Sequence, residues 1–178
     1  MIHLMTVLGK SAKQLYLEKE YLSDFKSLMR TLTSGRVIIV STRFRSDLLY
    51  NTNQKQSLSI VKLWALYTGT ELGQLKKGDF NISKGAKKCL TFYFQSINQL
   101  STNWYHYKIY KQALLSNYIN DPHNPLARTI LDCDEYLRRT QGIGRSPLLN
   151  ESDMLPGIVS KDHFSLAMQL INNETHIN

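Results

Sequence analysis

Cysteine is scarce in this 178-residue chain: Cys89 and Cys133 are the two present, without the spacing of a metal site. They read as reduced and buried, which suits a cytoplasmic protein, or a nuclear one in a eukaryote. Long apolar runs are also missing, and none approaches the ~20 residues needed to cross a bilayer, so no membrane partner is expected. Met1 to Leu8 has neither a basic lead nor a small-residue cleavage site, so no signal peptide is expected. His3, His106, His123, His163 and His176 form no HxH or HExxH unit, and no metal or other cofactor is expected. Gly142-Ile143-Gly144 lacks the third glycine and the preceding strand of a dinucleotide fingerprint. The GxxxxGK[ST] and GxSxG patterns are absent too, which removes the common nucleotide-binding and hydrolase classes. Nor is there an internal repeat or a low-complexity tract.

What is present is an ordinary globular composition, 42% apolar and 20% charged, in a length that suits one domain, residues 1–178. The net charge of +8 is unevenly spread. Residues 1–111 hold 17 Lys/Arg against 6 Asp/Glu, whereas residues 112–178 hold 5 against 8. A basic first two-thirds points to a polyanion, most often nucleic acid.

Taken in order, residues 1–10 and 173–178 are expected to be flexible ends. Ser11 to Gln14 reads as a capping box, followed by a helix with the stripe Tyr21, Leu22, Phe25, Leu28, Met29 and Leu32, stopped by Gly35. Val37 to Val40 is a strand or a buried turn, and Ser41 to Gln56 a polar loop or short helix. Leu58 to Tyr67 is an apolar helix broken at Thr68-Gly69. Cys89 to Phe94 and Trp104 to Tyr110 are rich in aromatic and β-branched residues and predict a hairpin connected through Ser96 to Asn103. Asn124-Pro125 predicts a helix start, with Leu126, Ile130, Cys133 and Leu137 inward and Gly142 as its stop. Asp132 and Glu135 read as a solvated acidic face. Ser160 predicts the cap of a last helix that buries Phe164, Ala167, Met168 and Ile171. The fold class is α+β, mostly helical, with a small antiparallel hairpin or sheet.

Leu66-Tyr67-Thr68-Gly69-Thr70-Glu71-Leu72-Gly73-Gln74-Leu75, followed by Lys76-Lys77-Gly78-Asp79, resembles the first catalytic box of tyrosine recombinases, the phage integrase family. The order of predicted elements is similar to the N-terminal part of that catalytic domain. It runs from a leading helix through the box, a hairpin and a further helix to Ser146-Pro147-Leu148-Leu149 and a final helix. The resemblance implies DNA handling, but with departures. The family's first arginine falls on Glu71 and its supporting glutamate on Gln74. A carboxylate about 4 Å from a scissile phosphate changes the local electrostatic energy by several kcal/mol in the wrong direction. The hairpin lysine has only Lys108 as a counterpart. The second box and the nucleophilic tyrosine would follow the last helix, where Thr175-His176 is at most a remnant.

The expectation is therefore a truncated, degenerate pseudoenzyme without catalytic residues, a DNA-binding or accessory protein of a mobile element. Phosphate contacts are expected from Arg43, Arg45, Lys76, Lys77, Lys87, Lys88 and Lys108. Tyr93, Tyr105, Tyr107 and Tyr110 are open to base stacking or to sheet packing. The alternative is a protein-interaction module, an inhibitor or assembly partner, that kept the fold without DNA binding. Self-association belongs with that reading. A small nucleic-acid enzyme is a third, with no nucleophile–base pair to support it.

Overall fold

The computed structural model describes residues 1–155 and 161–174. The fold is α+β and mostly helical, and its strands form a four-stranded antiparallel sheet. The chain separates into two compact units, Met1–Gly85 and Ala86–Asn178.

The first unit holds the sheet. Its strands are β1 (Ile2–Leu8), β2 (Val37–Ser41), β3 (Arg45–Asn51) and β4 (Asn81–Lys84), in the order β2-β3-β1-β4. Between them run α1 (Gly9–Gln14), α2 (Lys19–Leu32) and α3 (Ser57–Tyr67). Side chains alternate across a strand, so Met5, Val7, Val37, Ile39, Leu48 and Tyr50 share one sheet face. They form one core with Ala12, Leu15, Phe25, Met29, Ile60 and Trp64. Each large side chain there contributes about 1.5–3 kcal/mol by leaving water. Trp64 also needs a partner for its indole N–H, and it donates to the Leu15 carbonyl at 2.9 Å.

Several expectations change here. Ile2–Leu8, expected as part of a flexible end, is an inner strand, paired on both sides by β3 and β4. Ser41 to Gln56, expected as a loop or short helix, contains β3. Its start looks polar because Arg45 and Asp47 are charged, yet both are buried and bonded to each other. Ser11 caps nothing: α1 already begins at Gly9, and the Ser11 hydroxyl donates to Asp79 Oδ1 at 2.8 Å. In α2, Phe25 and Met29 are buried as expected, whereas Tyr21 and Leu28 are exposed. The break after Tyr67 is as the sequence implies. Gly69 has φ +66°, a left-handed conformation that glycine adopts without steric cost.

The second unit is helical: α4 (Ala86–Leu100), α5 (Trp104–Asn120), α6 (Pro125–Gln141) and α7 (Lys161–Glu174). The hairpin expected from Cys89 to Tyr110 is therefore two helices joined by a short turn. Cys89, Leu90, Tyr93, Phe94 and Ile97 are the buried residues of α4, and Tyr107, Tyr110, Leu114 and Tyr118 those of α5. Both sets recur at helical spacing, and this burial overrides the strand preference of the individual aromatics. Asn103 opens α5 by accepting a hydrogen bond from the His106 N–H at 3.1 Å. α6 starts at Pro125 with Asn124 accepting from the Leu126 N–H at 3.0 Å, buries Leu126, Ile130, Cys133 and Leu137, and ends at left-handed Gly142. Ala167 of α7 is buried, but Phe164 is exposed. Ser160 and Thr175-His176 lie outside the described residues.

With strands β1 to β3 ahead of Thr68-Gly69 and helices α4 and α5 after it, the element order differs from the one the recombinase likeness implies.

Candidate nucleic-acid interface

The antiparallel register sets which loops meet. Leu8 pairs with Arg45, Ser41 with Ser46, and Thr6 with Asn81. The end of β1, the β2–β3 turn and the start of β4 therefore lie at one end of the sheet. Two hydrogen bonds fix the connecting segments there. The Gly9 N–H donates to the Phe44 carbonyl at 3.2 Å, joining α1 to the β2–β3 turn. The Ser11 hydroxyl donates to Asp79 Oδ1, and Asp79 Oδ2 accepts from the Lys76 N–H at 2.7 Å. α1, the turn and the Lys76–Asp79 loop form one rim as a result.

That rim carries Lys10, Lys13, Arg43, Lys76 and Lys77, all exposed. Three of them were expected as phosphate contacts from the sequence, and the fold brings these three together. Lys10 and Lys13 escape a sequence reading because α1 is short and lies far in sequence from the other three. Drawn at the boundary between the units the sign asymmetry is milder but keeps its direction, since Met1–Gly85 holds 13 Lys/Arg against 6 Asp/Glu, and Ala86–Asn178 holds 9 against 8.

Arg45, expected as a phosphate contact, is instead buried. Its Nε donates to Asp47 Oδ2 at 2.6 Å while Nη2 donates to Oδ1 at 3.2 Å. Thr6, directly opposite Asp47 in the register, donates its hydroxyl to Oδ1 at 2.6 Å. A guanidinium committed this way cannot reach a phosphate. Glu71 is exposed in extended backbone, just ahead of the short turn Leu72–Gln74. Lys87 and Lys88, on α4, and Lys108, on α5, are exposed and belong to the second unit. Among the tyrosines proposed for stacking, Tyr93, Tyr107 and Tyr110 are buried, and Tyr110 donates to the Tyr93 hydroxyl at 3.1 Å. Tyr105 is half exposed beside an exposed Trp104.

A cleft of about 690 Å³ in the first unit is lined by Tyr16, Glu18, Tyr21, Tyr67 and Thr68, among others. Leu17 N–H donates to Ser41 Oγ at 3.0 Å, which holds this segment against the end of β2. The Arg43 guanidinium lies 5.6 Å from the centre of the Tyr16 ring, so the cleft adjoins the basic rim.

The second unit has two polar clusters that stabilise it. Arg145 donates to Asn98 Oδ1 at 2.7 Å, to the Tyr107 hydroxyl at 3.2 Å and to Asp134. Burial opposes its charge, but Asp134 and Tyr107 outweigh that and raise its pKa. Asp132, expected on a solvated face, is instead buried, ion-paired with Arg128 at 2.8 Å and 2.7 Å from His163 Nδ1. His163 Nε2 meets Thr129 Oγ1 at 2.9 Å, and that hydroxyl donates to the Pro125 carbonyl at 2.8 Å. The Thr129–His163–Asp132 line thus ties α7 to α6. Burial, with Asp132 and Asp134 nearby, pushes the Cys133 thiol up to about 12.

No family model, curated protein or solved structure matches the chain. Among the described residues no helix is long and apolar enough to cross a membrane, and no cluster of His, Cys, Asp and Glu has the make-up of a metal site.

Proposed function

We propose that the chain is a non-catalytic DNA-binding protein whose basic rim, Lys10, Lys13, Arg43, Lys76 and Lys77, tracks a phosphate backbone. The observation that carries this reading is the joining of cations from α1, the β2–β3 turn and the loop before β4 by the Gly9–Phe44 and Ser11–Asp79 bonds. Point charges held on fixed backbone suit a row of phosphates, which they position without reading sequence. Of the features that resemble a recombinase, only the lysine loop after the helix break takes part in this function. The family's reaction does not, because Glu71 stands where a phosphate-binding arginine would be needed.

The test is a salt titration of binding to labelled DNA. Five phosphate contacts give log K against log salt a slope of about −3.5 on single strands and about −4.5 on a duplex. Replacing Lys76 and Lys77 by Ala should make that slope shallower by about 1.4 on single strands and about 1.8 on a duplex, and lower affinity equally for unrelated sequences. Labelled DNA should remain uncut. Absence of DNA affinity even at low ionic strength would sink the reading.

A further inference from the structure

We infer that the tyrosine-lined cleft of the first unit receives an unpaired base, so that the rim's ligand is single-stranded DNA rather than duplex. This deepens the proposed function and rests on it. Three tyrosines line the cleft from separate places: Tyr16 in the segment after α1, Tyr21 in the first turn of α2, and Tyr67 at the last residue of α3. None is a core residue in the way Phe25 or Trp64 is. Tyr21 is 46% exposed although it sits in a helical stripe whose neighbours Phe25 and Met29 are fully buried.

The platform is braced from behind. The Phe25 ring meets Tyr67 edge-on, centroids 5.3 Å apart, and packs in turn against Trp64 at 5.7 Å. Stacking on such rings is sequence-tolerant, because every base has a π face. Glu18, at the cleft wall, is an acceptor for the amino and imino hydrogens of a base edge. In a duplex those hydrogens are paired and both base faces are stacked, so only an unpaired base can use the cleft.

Tyrosines with one carboxylate also make up a cage for an alkylated ammonium ion. The surroundings decide against that occupant. Arg43 already lies against Tyr16, and the adjoining rim adds four lysines. A free cation would meet this field, whereas a strand that offers a base to the tyrosines and phosphates to the rim satisfies both.

Fluorescence anisotropy with three labelled 15-nucleotide probes separates these possibilities: oligo-dT, an abasic strand of the same length, and a duplex. Oligo-dT should bind at least about tenfold tighter than the other two. Tyr21→Ala, a change at an exposed position, should weaken oligo-dT binding by about five- to a hundredfold and leave the abasic strand unaffected. Lys76→Ala with Lys77→Ala should weaken all three probes alike. Equal binding of the three probes, with the Tyr21 variant silent and the lysine variant weaker, would overturn the base site and leave the basic rim standing. If no probe binds at low salt, the DNA reading itself fails. A trimethyl-lysine peptide that binds in a Tyr21-dependent way, without any preference for oligo-dT, would also overturn the base site.

Discussion

A guanidinium that leaves water needs its counter-charge inside the protein, and Arg45 finds it two residues along its own strand. Arg45 and Asp47 share a face of β3, and Thr6 completes the carboxylate from the neighbouring strand. Replacing Arg45 by Met should cost about 3–5 kcal/mol in urea denaturation, because Asp47 is left buried and uncompensated. The further change Asp47→Leu should recover much of that loss, since an apolar pair of similar volume needs no desolvation. The folded fraction of either variant should bind DNA as before, unlike a rim variant. His3 is likewise shaped by burial. It is stacked on Tyr50 at 5.1 Å, and its pKa is lowered, first by burial and then by Lys84 and the N-terminus. A base harder to protonate in the fold than in the open chain stabilises fully above its unfolded pKa of about 6.5. That stability is lost as pH falls from there towards the lower folded value. The melting temperature should therefore drop between pH 7.5 and 5.5, and His3→Phe, which keeps a stacked ring, should show a smaller drop.

Among the elements, those with a strong period or a clear cap were legible in the sequence. The Asn124-Pro125 start and Gly142 stop of α6 and the Thr68-Gly69 break after α3 needed only local chemistry. The α4 and α5 segments differ from the hairpin their composition predicts because Thr91-Phe92-Tyr93-Phe94 and Trp104 to Tyr110 favour strands residue by residue. Their inward positions nevertheless follow the helical repeat, and Asn103, expected in a hairpin connection, caps α5. β3 is the converse case, hidden in a polar stretch because its polar residues are satisfied by partners across the sheet, which no local window contains. The candidate interface divides in the same way. Lysine pairs and Arg43 are readable as charge. That Arg43 belongs with Lys76 and Lys77 depends on sheet register, that Lys10 and Lys13 join them on the Gly9–Phe44 and Ser11–Asp79 bonds, and that Tyr16, Tyr21 and Tyr67 line one cleft on contacts between segments distant in sequence.

At the scale of the whole molecule, the two units differ in charge, and each has its own exposed lysines. Hydrogen–deuterium exchange with saturating oligo-dT distinguishes them. Slower exchange is expected over residues 9–18, 41–45 and 66–79 of the first unit. Protection centred on α4 and α5 around Lys87, Lys88 and Lys108 would move the interface to the second unit. Asp79 gives such measurements a useful property. It positions the lysine loop through a hydroxyl and a backbone N–H, both uncharged, instead of through an ion pair. Dissolved ions screen attraction between charges far more than they disturb short bonds to neutral donors. The spacing of the rim's cations should thus be the same in dilute and concentrated buffer, and the loss of affinity with added salt would report the counterions of the nucleic acid, not a change in the protein's shape.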